Sequence, residues 1–283
     1  MIGPWCFVDH FGPELTSIEP MRVAPHPHTG LQTVTWLIEG LIEHRDSVGS
    51  VQHITPGALN LMTAGHGISH SELSIDAQAP RMHGIQLWVA LPDHARHQSP
   101  HFEHHNELPQ VLIGDTRVRV LTGTVQSTTA PTSTYSPIVG AEICKDAAGV
   151  TEIPLHPEFE HGILVVDGSI AVDGVEVGFG SLIYLAPGRT SVSLESAGPV
   201  RALLIGGEPF TEEIVMWWNF IGRSHNEVEQ MRQEWQAQGA RFGSFAGYPG
   251  ERIPAPPMPS VRLTPRGRAR DTNPLMNEPN AFS

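Results

Sequence analysis

The sequence predicts an all-β protein of two similar barrels or sandwiches in tandem, with one short helix near the C-terminus. Three observations carry that prediction. Glycine and proline supply 28 and 25 of the 283 residues, well above the roughly 12% of average usage, and punctuation this dense breaks helices and favours short strands joined by turns. The apolar runs in both halves are short and β-rich. The halves also share a pattern: WLIEG at 36–40 resembles LVVDG at 164–168, and GALNLMTAG at 57–65 resembles GSLIYLAPG at 180–188, with the bounding glycines eight apart in each copy.

In the first half, strands are expected at Thr33 to Ile38, Ile85 to Leu91 and Arg117 to Leu121, so that residues 1–122 form a first barrel. Segment 123–137, GTVQSTTAPTSTYSP, lacks a hydrophobic period and reads as surface loop, which places a linker at 123–140. The second barrel is expected over 141–261. Its strands run from Ile163 to Val166, Ser169 to Val172 and Val200 to Ile205, with turn signals at Asp167-Gly168 and Asp173-Gly174. Ser224 followed by Glu227 is a capping box. Val228, Met231 and Trp235 then fall on one face and Gly239 marks the stop, which predicts a helix near 225–238. Residues 262–283, with Arg266, Arg268 and Arg270, are expected as a loosely attached, extended tail.

Composition excludes several function classes. The formal net charge is −13, and an acidic surface repels phosphates, so direct nucleic-acid binding is not expected. No apolar run approaches a membrane span and no signal peptide opens the chain. Two cysteines, Cys6 and Cys144, cannot build a disulfide framework and fit a reducing, cytoplasmic setting. The anomaly is histidine: 16 in all, 13 of them before residue 106.

Two short pairs among them point to a metal. They are His26-Pro27-His28 and His70-Ser71-Glu72. Residues i and i+2 of a strand project from one face, so each pair aims two ligands into a barrel. Two facing strands would supply three imidazoles and one carboxylate to one divalent transition ion, and that mixed donor set suits Fe, Mn, Ni, Cu or Zn with positions left open for dioxygen or substrate.

Several blocks resemble the pirin family of bicupin proteins: GPWCFVDHFGP (3–13), PHPHTGLQTVTWLIEG (25–40), HRDSVGSVQ (44–52), PGALNLMTAGHGISHSE (56–72), HGIQLWVALP (83–92) and GGEPFTEEIVMWWNFIGRS (206–224). The resemblance implies two cupin barrels packed face to face. It also implies a single metal, most often Fe(II), in the N-terminal barrel, held by His26, His28, His70 and Glu72. Members usually carry more strand sequence ahead of the first block, so either the reading frame begins late or an N-terminal strand pair is missing. Members also often carry other residues where Thr29 and His66 stand, so rim chemistry is not carried over there.

The function implied is a quercetin 2,3-dioxygenase-type oxygenase that opens flavonol-like aromatic substrates with O2 and releases carbon monoxide, with Glu72 as proton acceptor. The alternative is a non-catalytic metal- or redox-sensing regulator acting through a protein partner, as pirins of eukaryotes do. Other residues fill lesser roles in this reading. His101, His104 and His105 are expected in a solvated loop. His10 and His44 are expected to support the site or the core, with Asp9 or Glu43 as candidate acceptors, and Trp217-Trp218 to pack in a core. By the internal repeat, Pro154 and His156 stand where His26 and His28 stand, and Ser193 and Glu195 where His70 and Glu72 stand. No second tight metal site is therefore expected.

Overall fold

The structure is a computed structural model that describes residues 1–15, 21–75 and 81–267. Among these, the first barrel is built from β1 (Trp5–Leu15), β2 (Arg22–His28), β3 (Leu31–Glu39), β4 (Ile42–Asp46), β5 (Val51–Ile54), β6 (Leu59–Thr63), β7 (Ile68–Ser74), β8 (Arg81–Ala90) and β9 (His101–His105). The second uses β10 (Gln110–Ile113), β11 (Thr116–Val125), β12 (Thr128–Thr129), β13 (Ile138–Lys145), β14 (Gly149–Pro154), β15 (Glu160–Asp167), β16 (Ser169–Val172), β17 (Val175–Gly178), β18 (Leu182–Leu185), β19 (Ser191–Ser196) and β20 (Val200–Gly207). A hairpin of β21 (Val215–Trp217) and β22 (Phe220–Gly222) then leads into helix α1 (His225–Gln236). Among the described residues no helix is long and apolar enough to cross a membrane.

The two barrels repeat one topology. The first opposes a sheet of order β1-β8-β3-β6-β9 to one of order β2-β7-β4-β5. The second opposes β13-β20-β15-β18 to β14-β19-β16-β17, with β11 and β10 added beyond β13. The predicted repeat is thereby realised strand for strand: β3 with β6 and β15 with β18 are the pairs that the shared motifs mark.

Burial explains the apolar runs. The larger sheets pack back to back, so their central strands are covered on both faces and read as continuous rather than alternating. On β15, Leu164 and Val166 face the first barrel while Ile163 and Val165 face inward; on β20, Leu203 and Ile205 alternate with Ala202 and Leu204 in the same way. Val34, Trp36, Leu59, Leu61, Ile85 and Leu87 complete the shared layer from the other side. Trp36 Nε1 donates to Glu142 Oε1 at 3.1 Å and Trp5 Nε1 to the Gly206 carbonyl at 2.9 Å, which satisfies the indole N–H groups buried there. The interiors differ. One continuous apolar cluster forms the core of the second barrel. The first holds two smaller clusters, one around Leu31, Met62, Ile68 and Trp88 and one around Leu37, Ile42, Ile54 and Met82. A polar layer occupies the space between them.

Four expectations need correction. The sheet boundary does not fall at residue 122: β11 runs through it and pairs with β13, because Val118 and Val120 belong to the second core. The segment after it is partly strand, with β12 paired to β11. His101, His104 and His105 do not lie in a loop; they form β9, which pairs with β6. Residues 262–267 are held, since Arg266 bridges Ile214 and the Leu263 N–H donates to His225 Nδ1 at 3.1 Å. Arg268 and Arg270 lie outside the described residues.

The helix follows its prediction, with Ser224 Oγ accepting from the Glu227 N–H at 3.2 Å and Val228, Met231 and Trp235 buried. The chain leaves it through Gln238 at φ +55° rather than at Gly239. Around α1, the residues Val215, Phe220, Phe242 and Ala255 form a small core, against which Trp217 and Trp218 pack. This C-terminal cap sits on the first barrel. The Ile221 N–H donates to the Thr29 carbonyl at 3.1 Å, Ser69 Oγ to the Phe242 carbonyl at 2.9 Å and the Ile253 N–H to the Pro25 carbonyl at 2.8 Å. Gly30 is required at that contact: φ is +68° and a Cβ would fall 2.3 Å from the Ile221 oxygen.

Candidate metal centre

Strand register assembles the polar layer. On β2, His26 and His28 share a face; on β7, His70 and Glu72; on β4, His44 and Asp46. Across the sheet, His26 stands opposite His70, Asp46 opposite His70, and His44 opposite Glu72. Three adjacent strands thus present six polar side chains to the barrel interior. Strand β2 tolerates Pro25 and Pro27 because it is the edge of its sheet and one side of its backbone needs no partner.

Three imidazoles converge. The ring centroids of His26, His28 and His70 are 4.3–5.0 Å apart, and His28 Nε2 lies 3.1 Å from His70 Nε2. Hydrogen bonds assign the free edges. His26 Nδ1 donates to the Ala24 carbonyl at 2.9 Å, which leaves its Nε2 lone pair for the interior. Asp46 Oδ2 accepts from His44 Nε2 at 3.0 Å, so His44 Nδ1 carries a lone pair and accepts from His70 Nδ1 at 3.4 Å. His70 Nε2 is then the acceptor edge that faces His28. Asp46 is itself anchored, because its Oδ1 accepts from the Val48 and Ser50 N–H groups at 3.0 Å each. Burial would raise the Asp46 carboxyl, but His44 and Ser50 outweigh it and the net direction is downward.

The electrostatics favour neutral rings. Burial, opposed by the Ala24 hydrogen bond, lowers His26 to about 4. Burial and then the neighbouring imidazoles push His28 and His70 well below the ordinary histidine range. Burial raises Glu72, against the pull of His44 and Thr35. Neutral imidazole lone pairs aimed at one point, with a buried carboxylate alongside, form a donor set that fits a divalent transition ion, which supplies the charge this layer lacks. Ser71 Oγ is buried without a hydrogen-bond partner among the described residues.

Of the four predicted ligands, His26, His28 and His70 form one set whose ligand atoms lie within 4.8 Å of one another. Glu72 is buried on the same face, but its carboxylate groups with His44 and His70 in a second set that shares only His70 with the first. Trp88 packs edge-on against His28 at 5.1 Å, and Phe102 of β9 stacks on His44 at 4.5 Å. Sequence reading missed Asp46, Trp88 and Phe102. The signal for Asp46 was present, since HRD repeats the i, i+2 spacing of the ligand pairs. Asp9 and Glu43 do not take that role, and Glu43 instead pairs with Arg45 at 2.7 Å.

The remaining histidines stand elsewhere. His10 Nε2 meets His83 Nε2 at 2.8 Å between strands β1 and β8. His104 contacts Asn60 at 2.6 Å and His105 contacts Glu103 at 3.1 Å. The Thr29 hydroxyl is buried against Met231 Sδ, and the His66 ring bonds the Gln98 carbonyl. In the second barrel His156 and Glu195 are exposed, and Ser193 is half-buried. Among the described residues, both candidate metal-holding groups lie in the first barrel.

Residues 1–89 match the family model described as Pirin, and residues 141–243 match that of the Pirin C-terminal cupin domain. A Pseudomonas aeruginosa protein provisionally named a quercetin 2,3-dioxygenase is 44% identical over 262 residues, 92% of this chain and 82% of its own. A pirin-like protein of Caulobacter vibrioides is 36% identical over 269 residues, 90% of each chain. The crystal structure of quercetin 2,3-dioxygenase from Acinetobacter baumannii is similar with a TM-score of 0.90 at 44% identity, over 93% of this chain and 89% of that one.

Proposed function

The chain belongs to the pirin family, and from that premise we propose that its first barrel houses a metal-dependent oxygenase site of the quercetin 2,3-dioxygenase type, which opens flavonol-like substrates with O2. The observation that carries this reading is the convergence of His26, His28 and His70 with Glu72 buried beside them. Iron(II) is the ion we assign, and Mn, Ni, Cu or Zn suit the same donors. Once bound, such an ion supplies a Lewis acid and a redox contact for dioxygen.

The chain's own groups do the rest. Glu72, its carboxyl raised by burial, is suited to accept the proton of the substrate hydroxyl. Trp88 and Phe102 wall the layer with apolar surface and exclude water. Substrate approaches from the capped end. A cavity of about 780 Å³ there is lined by Pro25 and Ser69, the chain neighbours of His26 and His70, together with Trp235, Phe242 and Arg252 of the cap. We place the protein in the cytoplasm, where the free Cys6 and Cys144 stay reduced.

One observation favours a second reading, a metal- or redox-sensing regulator that binds a protein partner. His26, His28, His70 and Glu72 are only 7%, 1%, 1% and 6% exposed, so a flavonol reaches them only if the cap shifts. The test is to mix protein loaded anaerobically with iron and quercetin in air. Oxygen uptake with carbon monoxide release supports the oxygenase. Full iron occupancy without oxygen uptake turns the reading to the regulator.

A further inference from the structure

Arg117, Arg119 and Arg201 stand around one small cavity at the edge of the layer between the barrels, in a chain with only 17 cationic side chains and a net charge of −13. Alternation on the strands puts them there. Val118, Val120, Ala141, Ile143 and Ala202 belong to the second barrel's core. Arg117 and Arg119 of β11, Glu142 and Cys144 of β13 and Arg201 of β20 therefore project from the opposite face, toward the first barrel. Register sets them side by side: Arg117 opposite Cys144, Cys144 opposite Arg201, and Arg119 opposite Glu142. Trp36 and the Pro56-Gly57 turn of the first barrel line the other side of the cavity, whose volume is about 280 Å³.

The lining carries more positive charge than it can neutralise. Glu142 is the one acid among the described lining residues. Its side chain is 8% exposed and accepts from Trp36 Nε1. Arg119 Nη1 lies 3.6 Å from Glu142 Oε2, and Arg201 Nη1 lies 3.5 Å from Glu142 Oε1. Both separations exceed the roughly 2.7–3.2 Å of an N–H···O hydrogen bond, and neither guanidinium makes such a bond among the described residues. The two side chains are 33% and 35% exposed, so their N–H groups are open to a ligand from solvent. Arg119 is steadied over the Trp36 ring, 5.5 Å from its centroid. Arg117 is paired outside the lining, where its Nη2 donates to Asp146 Oδ1 at 3.0 Å. Burial and then Glu142 push the Cys144 thiol up to about 11, so it stays neutral and adds no negative charge.

We propose that this cavity binds a small dianion, a phosphoryl group or a short dicarboxylate, held between Arg119 and Arg201. Both guanidinium groups approach the same carboxylate, one at each oxygen, so a single small anion can touch both. Guanidinium forks match such oxyanions with paired N–H···O bonds. The volume lies below the roughly 300–1,000 Å³ of drug-sized pockets, which suits a small ion. The site lies between the barrels and rests on no part of the oxygenase reading.

The test is calorimetric titration of the full chain at low salt with inorganic phosphate and, separately, with succinate. Saturable binding of at least one is expected. Tighter phosphate assigns the site to phosphoryl compounds and tighter succinate to dicarboxylates, and either supports the proposal. Arg201→Gln should weaken binding roughly tenfold or more, the cost of a charged hydrogen bond. Gln110→Glu removes no ion pair, adds a carboxylate at an exposed position of the lining and should weaken binding several-fold by like-charge repulsion. His28→Ala in the first barrel should leave binding unchanged. No saturable binding of either anion at millimolar concentration overturns the proposal. So does acetate binding as tightly as the dianions, affinity unchanged in Arg201→Gln or Gln110→Glu, or binding lost with His28→Ala.

Discussion

Asp46 does at residue scale what a metal-binding imidazole requires of its surroundings: it fixes which nitrogen is free. The carboxylate holds His44, His44 holds His70, and His70 presents Nε2 to the interior. Groups that orient ligands in this way typically account for 10- to 100-fold in metal affinity. Asp46→Asn and His44→Phe are therefore expected to weaken metal binding by about that factor while the fold persists, as a competitive chelator titration will show. Unchanged affinity in both would remove the chain of hydrogen bonds from the account. His28→Ala deletes a candidate ligand and should abolish stoichiometric metal binding, whereas His101→Ala should leave metal content intact, because His101 lies on β9, outside both candidate groups. The shared strand faces of the candidate ligand pairs were legible because alternation on a strand is local. Asp46 has the same local spacing, but its role depends on β4 lying beside β7, a long-range pairing that spacing alone does not reveal.

Elements divide the labour differently from their order in the chain. The cap is encoded after the second barrel yet closes the first, because its apolar side chains find a partner surface at Thr29, Ser69 and Pro25. Helix α1 organises that cap and depends on its first turn. Ser224 Oγ accepts from the Glu227 N–H, and Glu227 Oε2 accepts from the Arg223 N–H at 2.6 Å. Glu227 also pairs with Arg96 of the first barrel. Ser224→Ala should cost about 1 kcal/mol, read as a lower thermal midpoint with little change in metal binding. A neutral result would mean that tertiary contacts alone hold the helix. Strand β9 illustrates the limit of local reading. HFEHH is too polar to look like a strand, but it needs only Phe102 to face inward, where the ring covers His44.

For the whole molecule, the histidine layer makes stability depend on pH. His26 falls to about 4 in the fold, against roughly 6.5 in an unfolded chain. Between those values the unfolded chain binds a proton that the folded chain refuses. The stability tied to His26 is thus fully present above pH 6.5 and is lost as pH falls toward 4, about 3 kcal/mol in all. His28 and His70 act in the same direction. Glu72, raised by burial, acts in the opposite one. The metal-free protein should therefore show a falling thermal midpoint from pH 7 to pH 5, and His26→Asn should make that slope shallower without removing it. A midpoint constant across the range would refute the buried, neutral layer.

Local sequence signals specify the two-barrel plan, the repeat that relates the barrels, the helix start at Ser224 and the face shared by each candidate ligand pair. Each depends on periodicity, turn chemistry or capping, which act within a few residues. Tertiary structure decided the rest. It set β11 into the second barrel's sheet, made β9 a strand and brought the cap over the first barrel. It also joined Asp46 and His44 to His70 and grouped Glu72 with them beside the three-histidine set. These outcomes depend on which strands lie side by side and which apolar faces meet. That is settled by burying both faces of the large sheets at once, a constraint that no short stretch of sequence carries alone.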